Sequence, residues 1–250
     1  MKAKLSRKRL DVLLVERGLA ESTQKAVAMI LAGEVQVDGQ RASAAGAAVS
    51  SDARISLNSR AQKFASRGGL KLEGALDDFA IAANGRVCLD VGSSTGGFTD
   101  CLLQRGAARV YAVDVNIAQL AWELQQDPRV IRVQRNAREL QPADIAEPVD
   151  LVVVDVSFIS ATKVLAPAVQ CGGGGAEFLV LVKPQFELRR EEVAEGGIVT
   201  DRALHEKAIS QVRTAGELAG LHWLGLQPSK LTGAEGNQEY FLHARKKAQE

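Results

Sequence analysis

Between residues 86 and 244 seven short apolar runs alternate with stretches of helical period: RVCLDV (86–91), RVYAVDV (109–115), VIRV (130–133), DLVVVDV (150–156), EFLVLVK (177–183), HWLGLQ (222–227) and EYFLHA (239–244). Alternation of this kind argues for an open α/β fold, a mainly parallel sheet with helices on both faces. The last connection breaks the pattern. Residues 228–238 are too few for a crossover helix, so the final two strands are expected to pair antiparallel. The four glycines Gly172–Gly175 read as a flexible turn before the fifth run.

Ahead of this region the periodicity differs. Apolar residues recur at helical spacing from Leu10 to Leu19 and stop near Gly18, and Ser22 and Thr23 can cap a second helix running to about Ala32–Gly33. Val35 and Val37 then alternate with polar residues up to Asp38-Gly39, a hairpin-turn dipeptide, and ARISL (53–57) follows. The expected organisation is a small α+β domain over 1–58, a linker over 59–66 and the α/β domain over 67–250. Charge divides at the same place. The whole chain carries 31 Lys and Arg against 30 Asp and Glu, yet residues 1–70 hold 12 against 6 and the remainder 19 against 24. A basic module joined to an acidic one suggests an anionic partner for the first.

Composition removes several classes. Cys88, Cys101 and Cys171 are far apart with no CxxC pair, so neither a disulfide framework nor a metal cluster is expected, and a reducing cytoplasmic setting fits. The basic start MKAKLSRKRL is followed by a segment broken by Asp11, Glu16 and Arg17, so no secretion signal is expected. No run of 18 apolar residues exists, which argues against a membrane-spanning chain.

The chemistry is expected at the carboxyl edge of the sheet, where doubly wound folds bind their ligands. LDVGSSTGGFTD (89–100) forms the first strand-to-helix turn. Gly92, Gly96 and Gly97 would let backbone pass close to a ligand, but a dinucleotide GxGxxG pattern needs glycine where Ser94 stands. Asp90 sets a carboxylate beside the glycines, and Asp114 ends the second strand, where it can accept from both hydroxyls of a ribose. Acid, glycine loop and second acid suit S-adenosylmethionine, which carries a sulfonium and no pyrophosphate. Ser93, Ser94, Thr95, Phe98, Val115, Asn136 and Asp155 complete the expected cofactor contacts. Charged residues converge on the same edge: Asp155 closes the fourth strand, Lys183 the fifth, Glu239 begins the antiparallel seventh, and Lys71 lies in the preceding helical stretch.

SRGGLKL (66–72), LDVGSSTGGFTD (89–100), QLAWELQQDPRV (119–130), DVSFIS (155–160) and KPQFELRREEVAEGGIV (183–199) resemble the signatures of the TlyA, or haemolysin A, family, whose catalytic domain is FtsJ-like. RLDVLLVERGLAEST and AMILAGEVQVDGQ, within 9–40, are similar to the ribosomal protein S-four-type RNA-binding domain of that family. The resemblance implies a Rossmann-like class I methyltransferase fold, six parallel strands closed by one antiparallel strand. It also implies S-adenosylmethionine-dependent 2′-O-methylation of ribosomal RNA or ribosomal subunits, with a Lys71–Asp155–Lys183–Glu239 tetrad at the reaction. One departure is Asn116-Ile117-Ala118-Gln119, where the family usually shows a Gly-aromatic-Gly-Gln pattern.

An unactivated hydroxyl must be aligned with the methyl donor and relieved of one proton. Lys183 is the expected neighbour of that hydroxyl. Lying between Asp155 and Glu239 it would be held protonated and orient the oxygen; acting as a base would require it to lose its proton. Residues 184–200 are long and charged, either a substrate loop or a solvated connection. Arg7, Lys8, Arg9, Lys25, Arg41 and Arg67 are the expected RNA contacts. Aromatics are 4% of the chain and scarce in the first domain, so recognition there is expected through shape and phosphate. Two rival readings are a membrane-active haemolysin, which lacks an apolar or strongly amphipathic segment, and a non-catalytic RNA-binding factor.

Overall fold

The structure is a computed structural model that describes residues 7–42, 44–57, 63–233 and 235–247. It comprises two units, Met1–Lys63 and Phe64–Glu250. Half of the expected linker, 59–62, lies outside the described residues, while Phe64 is buried in the core of the second unit.

In the first unit, local sequence signals set the helix ends. The helix α1 (Leu10–Glu16) is closed by Gly18 at φ +68°, with Leu19 N donating to Leu14 O, a left-handed stop that favours glycine. The helix α2 (Thr23–Ala32) begins where Ser22 Oγ accepts from Lys25 N at 3.1 Å and ends at Gly33, φ +77°. Asp38 and Gly39 both take positive φ, and they join β2 (Val35–Val37) to β3 (Gln40–Arg41). β5 (Ile55–Leu57) pairs with the other side of β2, and β1 (Arg7–Arg9) pairs with β4 (Ala48–Ser50). Leu10, Leu14, Ala26, Ile30 and Val35 form the core.

The second unit holds the seven-stranded sheet, in the order β11-β12-β10-β9-β6-β7-β8. Its strands are β6 (Val87–Val91), β7 (Arg109–Asp114), β8 (Val130–Gln134), β9 (Val149–Val154), β10 (Gly172–Val182), β11 (Leu221–Pro228) and β12 (Tyr240–Lys246). β12 runs antiparallel to both β10 and β11; β10-β9, β9-β6, β6-β7 and β7-β8 are parallel. The expected sheet is therefore present, with β12 inserted between β10 and β11. Alternate strand residues face opposite layers. Leu89, Val91, Val152, Val154 and Val180 pack with α6 (Thr162–Cys171) and α8 (Arg202–Leu218), while Cys88, Leu151, Val153 and Leu181 pack with α3 (Arg67–Asp78) and α4 (Gly97–Gln104). Two short helices, α5 (Trp122–Gln126) and α7 (Pro184–Glu187), line the carboxyl side.

One reading is corrected here. Gly172–Gly175 is not a free turn but the start of β10: Gly172 pairs with Val149, and the register then slips before Glu177 pairs with Leu151. Gly175, at φ +78°, sits in the slipped stretch, so the glycines accommodate an irregularity inside the strand.

Candidate active site

The strand order reverses at β6, because the chain runs outward through β7 and β8 and then returns to β9 on the other side. Such a switch point opens a crevice at the carboxyl ends. Two adjoining cavities occupy it. One, of about 220 Å³, is lined by Ser66, Arg67, Gly68, Lys71, residues 92–95, Gly97, Phe98, Asp155, Ser157 and Thr232. The other, of about 360 Å³, has Val113, Val115, Ala137, Val156 and Ile159 as apolar wall, with Asp114 and Asn136 at its polar edge. Gly92, Ser94, Asp155 and Ser157 belong to both.

Positive φ at Gly92, Ser94 and Gly96 turns the loop sharply, and the end of β7 holds it. Gly92 N and Ser93 N donate to Val113 O, and Ser94 N donates to Asp114 Oδ2 at 2.9 Å. The glycines are needed by the protein itself. A Cβ on Gly92 would lie 2.4 Å from Asp155 O, one on Gly96 2.3 Å from Leu124 Cδ1, and one on Gly97 2.1 Å from Ser66 Oγ. Gly96 has Leu120 and Leu124 on the side where a Cβ would stand.

Asp114 keeps acceptor capacity. Each carboxylate oxygen takes one backbone N–H, Oδ2 from Ser94 and Oδ1 from Asn116 at 2.9 Å, and each has a second lone pair. The divergent Asn116–Gln119 segment forms a single 3₁₀ turn that leaves Val115 62% exposed beside the larger cavity. Asp90 is wholly buried under the loop, where Oδ2 accepts from Thr99 Oγ1 at 2.7 Å and Oδ1 has no partner among the described residues. Burial pushes this carboxyl up to about 7, against the Thr99 hydrogen bond and with the help of Asp155 and Asp114.

The four tetrad residues come together as two ion pairs. Lys71 Nζ lies 2.5 Å from Glu239 Oε2, and Lys183 Nζ lies 2.6 Å from Asp155 Oδ1. The expectation that Lys183 sits between Asp155 and Glu239 is corrected: Glu239 turns to α3 instead, with its Oε1 against Gly233. Lys183 and Glu239 are buried, and Lys71 and Asp155 are the members of the pairs that line the smaller cavity.

Three contributors went unread in the sequence. Ser157 Oγ accepts from Lys183 Nζ at 2.7 Å. Thr232 enters the smaller cavity from the loop before β12. Phe158 is 92% exposed at φ +63°, its ring 5.3 Å from that of Phe186. A bulky residue in the left-handed region is strained. The signal was the position of all of DVSFIS at a strand's carboxyl end. Segment 184–200 is α7, a 3₁₀ turn at Arg190–Glu192 and a pinned far end, where Asn237 bonds Gly197 O and Val199 N at 2.8 Å each.

The expected RNA contacts Arg7, Lys8, Arg9, Lys25, Arg41 and Arg67 are all exposed. Lys8 is paired with Glu16 and Arg9 with Asp11. Arg67 opens α3 at the smaller cavity. Among the described residues no group of three or more His, Cys, Asp or Glu is arranged to hold a metal ion, and no helix is long and apolar enough to cross a membrane.

The FtsJ-like methyltransferase family model matches residues 64–246, and the S4 domain model matches residues 8–55. The 16S/23S rRNA (cytidine-2′-O)-methyltransferase TlyA of Mycobacterium tuberculosis is 47% identical over 96% of this chain and 90% of its own length. Hemolysin A of Brachyspira hyodysenteriae is 40% identical over 94% of this chain and 98% of its own length. A solved structure described as a hemolysin from Streptococcus thermophilus is 38% identical, covers 97% of this chain and 90% of its own, and superposes with a TM-score of 0.75. Agreement of this extent, running through both units, makes the chain a member of the FtsJ-like methyltransferase family, in its TlyA branch.

Proposed function

We propose that the chain transfers a methyl group from S-adenosylmethionine to the 2′-hydroxyl of a cytidine in ribosomal RNA. The observation that carries this reading is the pair of buried ion pairs, Lys71–Glu239 and Lys183–Asp155, meeting beside the glycine loop. The residues present suit the cofactor. Asp114 can accept the ribose hydroxyls, the apolar wall of the larger cavity suits adenine, and the first turn of α4 offers N–H groups and a positive helix end to a carboxylate. Asp90 Oδ1, buried without a partner among the described residues, adds an acceptor beneath a positively charged ligand. When bound, the cofactor supplies an electrophilic methyl on a cationic sulfur.

The protein's own part is alignment and proton control. Asp155 and Ser157 fix Lys183 so that an N–H of its ammonium can hold the 2′-oxygen toward the methyl group. Held by these residues, the cofactor would supply the methyl group for the 2′-oxygen, and Asp155, the carboxylate of the cluster that lines the smaller cavity, would take up the hydroxyl proton. Phe158 offers an exposed ring on which a base can stack next to this point. In the N-terminal unit, Arg7, Lys25 and Arg41, with Lys8 and Arg9, supply phosphate contacts. The setting consistent with this substrate is the cytoplasm.

The test is incubation with labelled S-adenosylmethionine and separated ribosomal subunits, followed by mapping of the methylated position. Label on a cytidine 2′-oxygen is expected. Label on a base would overturn the ribose assignment, and failure to bind the cofactor in a titration would overturn the catalytic reading as a whole.

A further inference from the structure

Lys183 has three N–H bonds to place, and a flexible four-carbon stem gives it no direction of its own. Asp155 Oδ1 faces Nζ as an ion pair at 2.6 Å, a contact of charge and not a directed hydrogen bond. A carboxylate alone leaves the ammonium free to rotate and to swing around that point, so a second fixed point is needed before an N–H has a direction. The structure supplies it two residues further along the same turn, where Ser157 Oγ accepts from Nζ at 2.7 Å. The Phe186 ring stands 6.0 Å from Nζ and closes another side.

Ser157 has no competing task. It is exposed, and the bond with Lys183 is the one hydrogen bond its hydroxyl makes among the described residues. It also lines both cavities, while Lys183 is only 8% exposed behind it. A hydroxyl differs from Asp155 in one further respect: it both accepts and donates. It can therefore stay bonded to the lysine while presenting its own proton to the cavity.

We propose that Ser157 is a positioning residue for the methyl transfer, completing with Asp155 a two-point mount that aims the Lys183 ammonium at the substrate oxygen. This deepens the ribose methyltransferase reading and rests on it. Two further carboxylates of this region are committed elsewhere, Glu239 to Lys71 and Glu187 to Ser160 and Ala161.

The experiment compares the full chain with Ser157→Ala and Ser157→Thr. In Ser157→Ala, kcat is expected to fall about tenfold or more, as misdirected reacting groups do, with the dissociation constant for S-adenosylmethionine and the KM for ribosomal subunits unchanged. Ser157→Thr, which keeps the hydroxyl, should recover most of the rate. A second measurement needs no turnover: ¹⁵N relaxation of the Lys183 ammonium in cofactor-free protein, assigned with Lys183→Arg. Its order parameter should drop in Ser157→Ala and hold in Ser157→Thr. Wild-type kcat in Ser157→Ala, equal loss in both variants, or an ammonium equally ordered with and without the hydroxyl would each overturn the proposal. If the wild-type chain methylated no ribose, the relaxation measurement would still decide whether Ser157 orders Lys183, which separates the two failures.

Discussion

Two buried titratable groups, Lys183 and Asp90, sit in different surroundings. Lys183 is held by Asp155 and Ser157, so its removal costs alignment and leaves Asp155 facing the cavity without a counter-charge. Lys183→Ala is expected to lower methyl transfer at least about 100-fold while S-adenosylmethionine binding, followed by calorimetry, stays within a few-fold of wild type. Asp90 is the opposite case, a carboxyl that burial keeps protonated up to about pH 7. Its folded-state value is raised above the ordinary value of about 4. The stability it contributes is therefore complete below that ordinary value and is lost as pH rises through 7. A bound cation favours the ionised form, so cofactor affinity should strengthen between about pH 6 and 8 with release of up to one proton. Calorimetry in buffers of different ionisation enthalpy measures this, and Asp90→Asn should flatten it. Asp155, Lys183 and Glu239 were legible at one edge from strand ends; Lys71, on a helix, was joined to them as a tetrad by the family resemblance. Which partner each member takes was not legible. Val182 stands opposite Tyr240, which brings the backbones of Lys183 and Glu239 side by side, yet the side chains turn to other elements.

Helix α3 and helix α4 start against each other, and the packing between them builds one wall of the smaller cavity. Gly97 makes the approach possible: a Cβ there would stand 2.1 Å from Ser66 Oγ and 2.9 Å from Gly69 N. Gly97→Ala should cost about 1–3 kcal/mol of stability and weaken cofactor binding together with it, read by thermal melting with and without S-adenosylmethionine. Leu72, Ala75 and Leu76 bury the following turns of α3 in the core, while Lys71 reaches Glu239. The seven strands of the sheet were legible because apolar runs between helical stretches have few alternatives. β1 was not, since Arg7–Arg9 is fully charged and forms a strand only through its pairing with β4. The glycine run at the head of β10 misleads for a related reason: its conformation is set by the neighbouring Val149, not by local preference.

At the scale of the whole molecule, a formal net charge of +1 conceals a basic module and an acidic one. Lys25 and Arg41 are exposed on the basic unit, and neither has an ion pair among the described residues. The double variant Lys25→Glu/Arg41→Glu should weaken ribosomal RNA binding. The slope of log affinity against log salt should become shallower by about 0.7–0.9 for each phosphate that is no longer neutralised. Cofactor affinity should be unchanged; filter binding across a salt series and a cofactor titration read the two effects separately. The insertion of β12 between β10 and β11 has a consequence for biosynthesis. β11 joins the sheet only through β12, and Glu239, at the mouth of β12, is the residue that neutralises Lys71. During vectorial synthesis the other three charged residues of the cluster emerge earlier and wait for the final strand to slot into an open gap. Completion of the sheet and assembly of the charged cluster are thus the same late event, so a nascent chain whose residue 239 is still inside the exit tunnel lacks the Lys71–Glu239 pair.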